Sequence, residues 1–140
     1  MEDYVTQFIN SILPEAEVIF EDNEFWVDVE NETINIGMNT DPEGDRLIQE
    51  FVFDEFGVAM DSFLIGCLHE IGHVLTYDPE VYAEGQRMYL LLQTMYEGNY
   101  HEDYSDIYFR IPNEYRATEW AVKYYTMFQE ECDKFMDMIR

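Results

Sequence analysis

The sequence predicts a single α+β domain in which a small antiparallel sheet of three strands packs against several helices. Between residues 15 and 38, apolar and polar residues alternate with the period of two that strands show. From about residue 45 onward, apolar residues recur at helical spacing instead. The chain has 140 residues, 47% of them hydrophobic, which is enough for one core and too little for two. We therefore expect one domain over residues 1–140.

The N-terminal part is expected to begin with a short amphipathic helix. Its apolar side chains recur at helical spacing between about residues 3 and 13, and Pro14 follows as a stop signal. Turn residues at Asp22-Asn23 and Asn31-Glu32 then separate the alternating segments. Because these turns are short, we expect a meander of three antiparallel strands, at about residues 16–20, 25–29 and 33–38.

Four helices are expected after the sheet, at about residues 45–56, 61–77, 79–97 and from 112 or 113 to the C-terminus. Residues Phe51-Val52-Phe53 would also suit a strand, so the first of these segments has an alternative. Asp61 or Ser62 can cap the second helix. Asp78 as N-cap and Pro79 at the first helical position begin the third.

The balance of charge restricts the partners of this protein. Asp and Glu number 31 against 7 Lys and Arg, which gives a net charge of -24. A nucleic-acid-binding surface needs basic residues to neutralise phosphates, so we expect no direct binding of DNA or RNA. The same charge attracts cationic partners, such as metal ions, basic peptide segments and DNA-binding proteins.

Several features favour the cytoplasm as the location. No apolar stretch approaches the roughly 20 uncharged residues of a membrane helix. The acidic N-terminus, Met1-Glu2-Asp3-Tyr4, lacks the basic and apolar regions of a secretion signal. Cys67 and Cys132 form no CxxC pair, and we expect both to be buried free thiols in a reducing compartment.

The most informative motif is His69-Glu70-Ile71-Gly72-His73, an HExxH segment inside the 61–77 helix. Residues four apart share one helix face, so His69 and His73 can bind one zinc ion while Glu70 reaches a water bound to it. Zinc acidifies its water, and the carboxylate accepts the water's proton and passes it to the leaving amine. The motif therefore predicts hydrolysis of an amide bond.

A catalytic zinc of this kind needs a third protein ligand, and no further His follows at a suitable spacing. The candidates are two carboxylates of the last helix, Glu114 and Glu119. Glu114 shares a face with Ala117 and Ala121, whereas Glu119 lies about 140° away around the helix axis. We therefore favour Glu114 as the third ligand and keep Glu119 as the alternative.

HEIGH followed by a Glu-x-x-Ala helix resembles the minimal gluzincin metallopeptidases of bacteria and their phages, in particular the ImmA/IrrE-type proteins. Their pattern is HExxH and then ExEA(N/D)xFA, and the match covers residues 69–73 and 114–121. Arg116 stands where a second Glu is common, and Thr118 stands where Asn or Asp would support the metal site. The resemblance implies a zincin-like fold, Glu114 as a ligand, a phage or mobile-element context, and a basic transcriptional repressor as the protein that is cut.

The Tyr-rich connection at residues 99–111, with a short extended piece at 107–110, lies between the ligands in sequence and could cover the cleft. A His or Tyr there could donate a hydrogen bond to the oxyanion formed during attack, so His101 and Tyr108 are candidate catalytic residues. The rival interpretation is an acidic interaction protein that mimics the charge of DNA, on a zincin fold with little or no catalysis. The surplus of carboxylates favours that rival, and HEIGH argues against it.

Overall fold

The computed structural model describes residues 1–39, 41–96 and 102–140 of the chain. Over these ranges the protein is α+β, with seven helices and one three-stranded sheet, which confirms the predicted class. The elements in chain order are α1 (Glu2–Ile12), β1 (Glu17–Ile19), β2 (Trp26–Asp28), β3 (Thr33–Asn35), α2 (Pro42–Phe56), α3 (Ser62–Leu75), α4 (Pro79–Tyr96), α5 (Glu102–Phe109), α6 (Pro112–Met127) and α7 (Gln129–Ile139). Among the described helices, none combines the length and the apolar character that crossing a bilayer requires.

The sheet is mixed, so the predicted antiparallel meander is wrong. The strand order is β1-β3-β2, with β1 parallel and β2 antiparallel to the central strand β3. Ile19 and Trp26 both pair with Asn35, from opposite sides. The connection at residues 20–25 must therefore cross the end of β3, and six extended residues easily span the roughly 10 Å between the two outer strands.

The side chain of Asn35 holds this crossing in place. It is fully buried, its Oδ1 accepts a hydrogen bond from Glu21 N–H at 2.9 Å, and its Nδ2 donates to the carbonyls of Asp22 at 3.1 Å and Glu24 at 2.7 Å. Gly37 allows the crossing chain to come close, because an added Cβ would lie 2.7 Å from the carbonyl oxygen of Asn23. Periodicity cannot report such a side-chain bridge, which explains the error in the predicted strand order.

Helix boundaries follow the local signals in the sequence. Asp61 caps α3 by accepting hydrogen bonds from the N–H groups of Phe63 and Leu64. Gly57 ends α2 in the left-handed conformation, with φ of 71°. The 45–56 segment is a helix, so the alternative of a strand at residues 51–53 is wrong. Phe53 is 58% exposed because the buried apolar residues of α2 lie on another face of the helix.

Two expectations for the C-terminal part are wrong. Residues 102–109 form a helix and contain no extended piece, because Tyr104 and Tyr108 lie one turn apart and stack in parallel with ring centroids 6.5 Å apart. The last predicted helix is in fact two, α6 and α7, which meet at Phe128 with φ of -126°. The break turns α7 back onto α1, where Phe135 stacks on Phe8 with ring centroids 4.1 Å apart.

The core is centred on α3, which packs most extensively against α6. Gly72 makes this close approach possible, because a Cβ at that position would lie 2.6 Å from the carbonyl oxygen of Ala117. Cys67 and Cys132 are both buried and free, as the sequence predicts. The tight contact between α3 and α6 brings the HEIGH segment against the start of α6.

Candidate metal centre

The two histidines of HEIGH project from successive turns of α3 toward the same point. Their ring centroids lie 4.6 Å apart and their planes are nearly perpendicular, at 88°. Each Nε2 atom points toward the start of α6, and both side chains are largely buried, with 15% of His69 and 12% of His73 exposed. Spacing of four residues on a regular helix is sufficient to produce this convergence.

The carboxylate of Glu114 completes the cluster. Its Oε2 atom lies 2.8 Å from His69 Nε2 and 2.9 Å from His73 Nε2. Glu119 lies elsewhere, with its carboxylate 3.7 Å from Lys123 Nζ and 42% of its side chain exposed. The structure therefore brings together the favoured candidate and not the alternative, because Glu114 begins the face of α6 that contacts α3.

The donor set fits a divalent transition metal. One ligand atom from each of His69, His73 and Glu114 lies within 4.8 Å of the other two. Two imidazole nitrogens and one carboxylate oxygen form a set that zinc uses in catalytic sites, where a fourth position stays open for water or substrate. Binding of a metal ion by these three residues is a prediction that rests on this geometry.

Hydrogen bonding in the cluster keeps Glu114 ionised. Burial by itself would raise the pKa of this carboxyl group, but hydrogen bonds from His69 and His73 outweigh burial and hold the pKa well below its usual range. Burial would lower the pKa of His69, whereas its hydrogen bond to Glu114 and the charges of Glu114 and Glu70 raise it overall. The site thus favours positive charge, from imidazolium or from a metal ion.

Thr118 contacts the first histidine from behind. Its Oγ1 atom lies 2.9 Å from His69 Nδ1, and the residue is fully buried. Without a metal, Nε2 donates to Glu114, whereas a neutral ring that donates from Nδ1 to this hydroxyl leaves the Nε2 lone pair for a metal ion. In the sequence, Thr118 is noted only because it replaces Asn or Asp of the resembled pattern. Its position four residues after Glu114 was the signal that could have placed it at the site, because residues four apart share one face of a helix.

Tyr108 contacts the other oxygen of the Glu114 carboxylate. Its hydroxyl donates to Glu114 Oε1 at 3.0 Å, which leaves Oε2 directed at the histidines. Burial and the nearby charge of Glu114 raise the pKa of Tyr108 well above its usual range, so the hydroxyl keeps its proton. The other candidate of this loop, His101, lies outside the described residues.

A polar cluster behind Tyr108 was not anticipated from the sequence. Gln93 Nε2 donates to the hydroxyls of Tyr89 at 2.8 Å and Tyr104 at 2.7 Å. The rings of both tyrosines also pack on Tyr108, with the Tyr89 centroid 5.9 Å away. The cluster joins α4 to α5 and fixes the ring of Tyr108 against the site. Its signal in the sequence is the helical spacing of Tyr89 and Gln93 on α4 and of Tyr104 and Tyr108 on α5.

Glu70 lies beside the cluster and faces a cleft. It is only 6% exposed, and burial raises the pKa of its carboxyl group, partly offset by His69 and His73. The cleft has a volume of about 340 Å³ and is lined by His69, Glu70 and Tyr108 together with residues of α2, α3 and the loops that precede β2 and α2. A carboxyl group of raised pKa that borders an accessible cleft is suited to accepting and returning a proton.

Comparison of the chain with protein families, with curated proteins and with solved structures found no match.

Proposed function

We propose that this protein is a zinc-dependent metallopeptidase of the gluzincin type that hydrolyses a peptide bond in a protein partner. The observation that carries the proposal is the convergence of His69 Nε2, His73 Nε2 and Glu114 Oε2 within 4.8 Å, with buried Glu70 beside them at the wall of a cleft. Two carboxylates buried this close together cost free energy unless a positive charge compensates them, which supports a metal ion at this point.

The residues of the chain have distinct roles in the proposed reaction. A zinc ion held by His69, His73 and Glu114 would supply Lewis acidity toward the scissile carbonyl and activate water. The Glu70 carboxylate accepts the proton of the attacking water and returns it to the leaving amine, a transfer for which its raised pKa is suited. Tyr108, which keeps its proton, can donate a hydrogen bond at the reacting carbonyl or hold the Glu114 carboxylate.

The proposed partner is a basic protein in the cytoplasm, with a basic DNA-binding regulator as the first candidate. A net charge of -24 favours encounter with a positively charged substrate through long-range attraction. The same charge opposes direct contact with nucleic acid. Two free buried thiols fit a reducing compartment.

Two measurements test the proposal together. Native mass spectrometry of protein purified without added metal is expected to show one zinc ion per chain. In a bacterial lysate, the wild-type protein is expected to create new protein N-termini that the Glu70→Gln variant creates at least a hundredfold more slowly, although it keeps its zinc. Absence of zinc after incubation with excess ion, or equal cleavage by both proteins, would contradict the proposal.

A second candidate function is that of an acidic interaction protein that covers the basic surface of a DNA-binding protein. The observation that favours it is the excess of 24 negative charges over the whole chain. This function predicts capture of a basic protein that salt weakens and that zinc removal leaves unchanged. A peptidase is expected instead to release a shortened partner, and only when Glu70 is intact.

A further inference from the structure

We infer that the cleft beside Glu70 binds a Lys or Arg side chain of the substrate, close to the bond that is cut. This inference rests on the proposed peptidase function and names the class of peptide that the site selects. It follows from the two kinds of side chain that line the cleft: buried or half-buried apolar side chains, here called the floor, and exposed or half-buried acidic side chains, here called the rim.

The floor of the cleft offers apolar surface to the stem of a long side chain. It is formed by Phe25, Ile48, Ile65 and Phe109, all of which contact the hydrophobic core. The ring of Phe25 packs directly on Gly66, where an added Cβ would lie only 2.7 Å from the ring. Lys and Arg bury their methylene stems on surfaces of this kind while the charged head stays at the edge.

The rim of the cleft carries carboxylates from two separate segments. Glu24 belongs to the connection that crosses the end of β3, whereas Asp41 and Asp45 flank the start of α2. No Lys or Arg is among the described residues that line the cleft. A cationic head at the rim would therefore meet negative charge from two sides, and an anionic side chain would be repelled.

Stabilisation of a helix start explains only part of this arrangement. Carboxylates in the first turn of a helix interact favourably with its dipole, which accounts for Asp41 and Asp45 without a ligand. Glu24 starts no helix, and its backbone carbonyl is held by Asn35, so its place at the rim comes from the strand crossing. The volume of about 340 Å³ is also within the range of ligand-binding clefts, which is about 300–1,000 Å³.

The first arm of the test measures cleavage. Zinc-loaded protein with residues 1–140 is incubated with a randomised decapeptide library, and the products are sequenced. We expect Lys or Arg to be enriched at one position beside the cut. Matched peptides with Arg or Gln at that position are expected to differ about tenfold in kcat/KM at low ionic strength, and added salt is expected to reduce the difference.

Two double variants distinguish the effect of the rim carboxylates from the effect of the net charge of the protein. Asp41→Asn with Asp45→Asn removes two rim charges and keeps a residue that can cap α2, so the preference for Arg over Gln is expected to fall to about twofold. The control is Asp3→Asn with Asp137→Asn, which changes the net charge equally and also removes one first-turn carboxylate, in α1. The control is expected to keep the full preference.

The second arm measures binding and does not depend on catalysis. Fluorescence anisotropy of the labelled Arg and Gln peptides is recorded with the Glu70→Gln variant, with and without the two rim substitutions. Tighter binding of the Arg peptide that falls to about twofold or less with the two rim substitutions supports the inference. Equal binding of both peptides, or cleavage without enrichment of Lys or Arg, overturns it. Failure to cleave any peptide would contradict the proposed peptidase, while the binding arm still decides the inference.

Discussion

The hydroxyl of Thr118 lies 2.9 Å from Nδ1 of His69, on the side of the imidazole that faces away from Glu114. This contact orients the ring, and an Nδ1–H that donates to the hydroxyl is the tautomer that leaves Nε2 free to hold a metal ion. A neutral hydroxyl supplies the contact without adding a further negative charge to a site that already holds Glu70 and Glu114.

Thr118→Val is expected to weaken zinc binding about 10- to 100-fold, because Nδ1 of His69 loses its partner while the side-chain volume stays nearly constant. Zinc affinity is measured by competition with a chromogenic chelator. Thr118→Ser keeps the hydroxyl and is expected to remain close to wild type. The control is Thr126→Val on the same helix, whose hydroxyl donates to the carbonyl of Val122 away from the site. Equal affinities for Thr118→Val and wild type would remove the positioning role.

Glu114→Ala is expected to lower zinc affinity by more than about a hundredfold, because it removes one of three ligands. Glu119→Ala removes a carboxylate from the same helix and is expected to leave zinc affinity unchanged, since that side chain pairs with Lys123. Native mass spectrometry at limiting zinc compares the three proteins. The ligand assignment is wrong if the loss of Glu114 has no more effect than the loss of Glu119.

Tyr108→Phe removes the hydroxyl that donates to Glu114 Oε1 and is expected to lower kcat about 10- to 1,000-fold. If the hydroxyl acts at the reacting carbonyl, zinc affinity is unchanged, whereas a role in orienting Glu114 predicts weaker zinc binding as well. His101→Ala tests the other candidate of the loop and is expected to lower kcat with zinc content intact. Unchanged rates in both variants would remove the two residues from the catalytic assignment.

Gly72→Ala is expected to destabilise the protein by about 1–3 kcal/mol, because the added methyl group would lie 2.6 Å from the Ala117 carbonyl and would force α3 and α6 apart. Urea denaturation measures the free energy of unfolding. The matched control is Gly44→Ala in α2, where the atoms nearest to an added Cβ belong to the flexible side chain of Asp41 and helix propensity favours Ala. An equal or increased free energy of unfolding in Gly72→Ala would show that the close contact is not required.

Native protein is expected to resist thiol alkylation at pH 8. Burial raises the pKa of Cys67 above its usual range and that of Cys132 to about 11, so little thiolate forms and little of it is accessible. Mass spectrometry after iodoacetamide treatment is expected to show labelling about two orders of magnitude slower than in urea. Rapid labelling of the native protein would contradict the burial of both thiols.

The sequence allowed the helices and the face of Glu114 to be predicted because both depend on local geometry. HEIGH needs only the four-residue spacing of a helix, and Glu114 needs only the shared face with Ala117 and Ala121. Capping residues such as Asp61 mark their own helix starts. These elements therefore agree with their predicted places to within a few residues, apart from the break at Phe128 and the helix at 102–109.

The strand order and the contacts around the site could not be predicted because they depend on residues far apart in the sequence. Whether β1 pairs with β2 or with β3 is decided by the buried amide of Asn35, which alternation of apolar residues does not reveal. The position of Tyr108 against Glu114 likewise depends on helix α5, which packs against α4. In both cases a tertiary contact overrides the local pattern.

The bridge formed by Asn35 also affects how this protein can change during evolution. A Leu at this position could fill the space but could not bond the crossing chain, and an Asp could not donate to the carbonyls of Asp22 and Glu24. Position 35 is therefore expected to tolerate little variation, whereas Glu24, in the connection between β1 and β2, contributes only its backbone carbonyl to the bridge, so a change of its side chain leaves the bridge intact. The charge of one cleft wall can then be altered by a single substitution while the topology of the sheet is inherited intact.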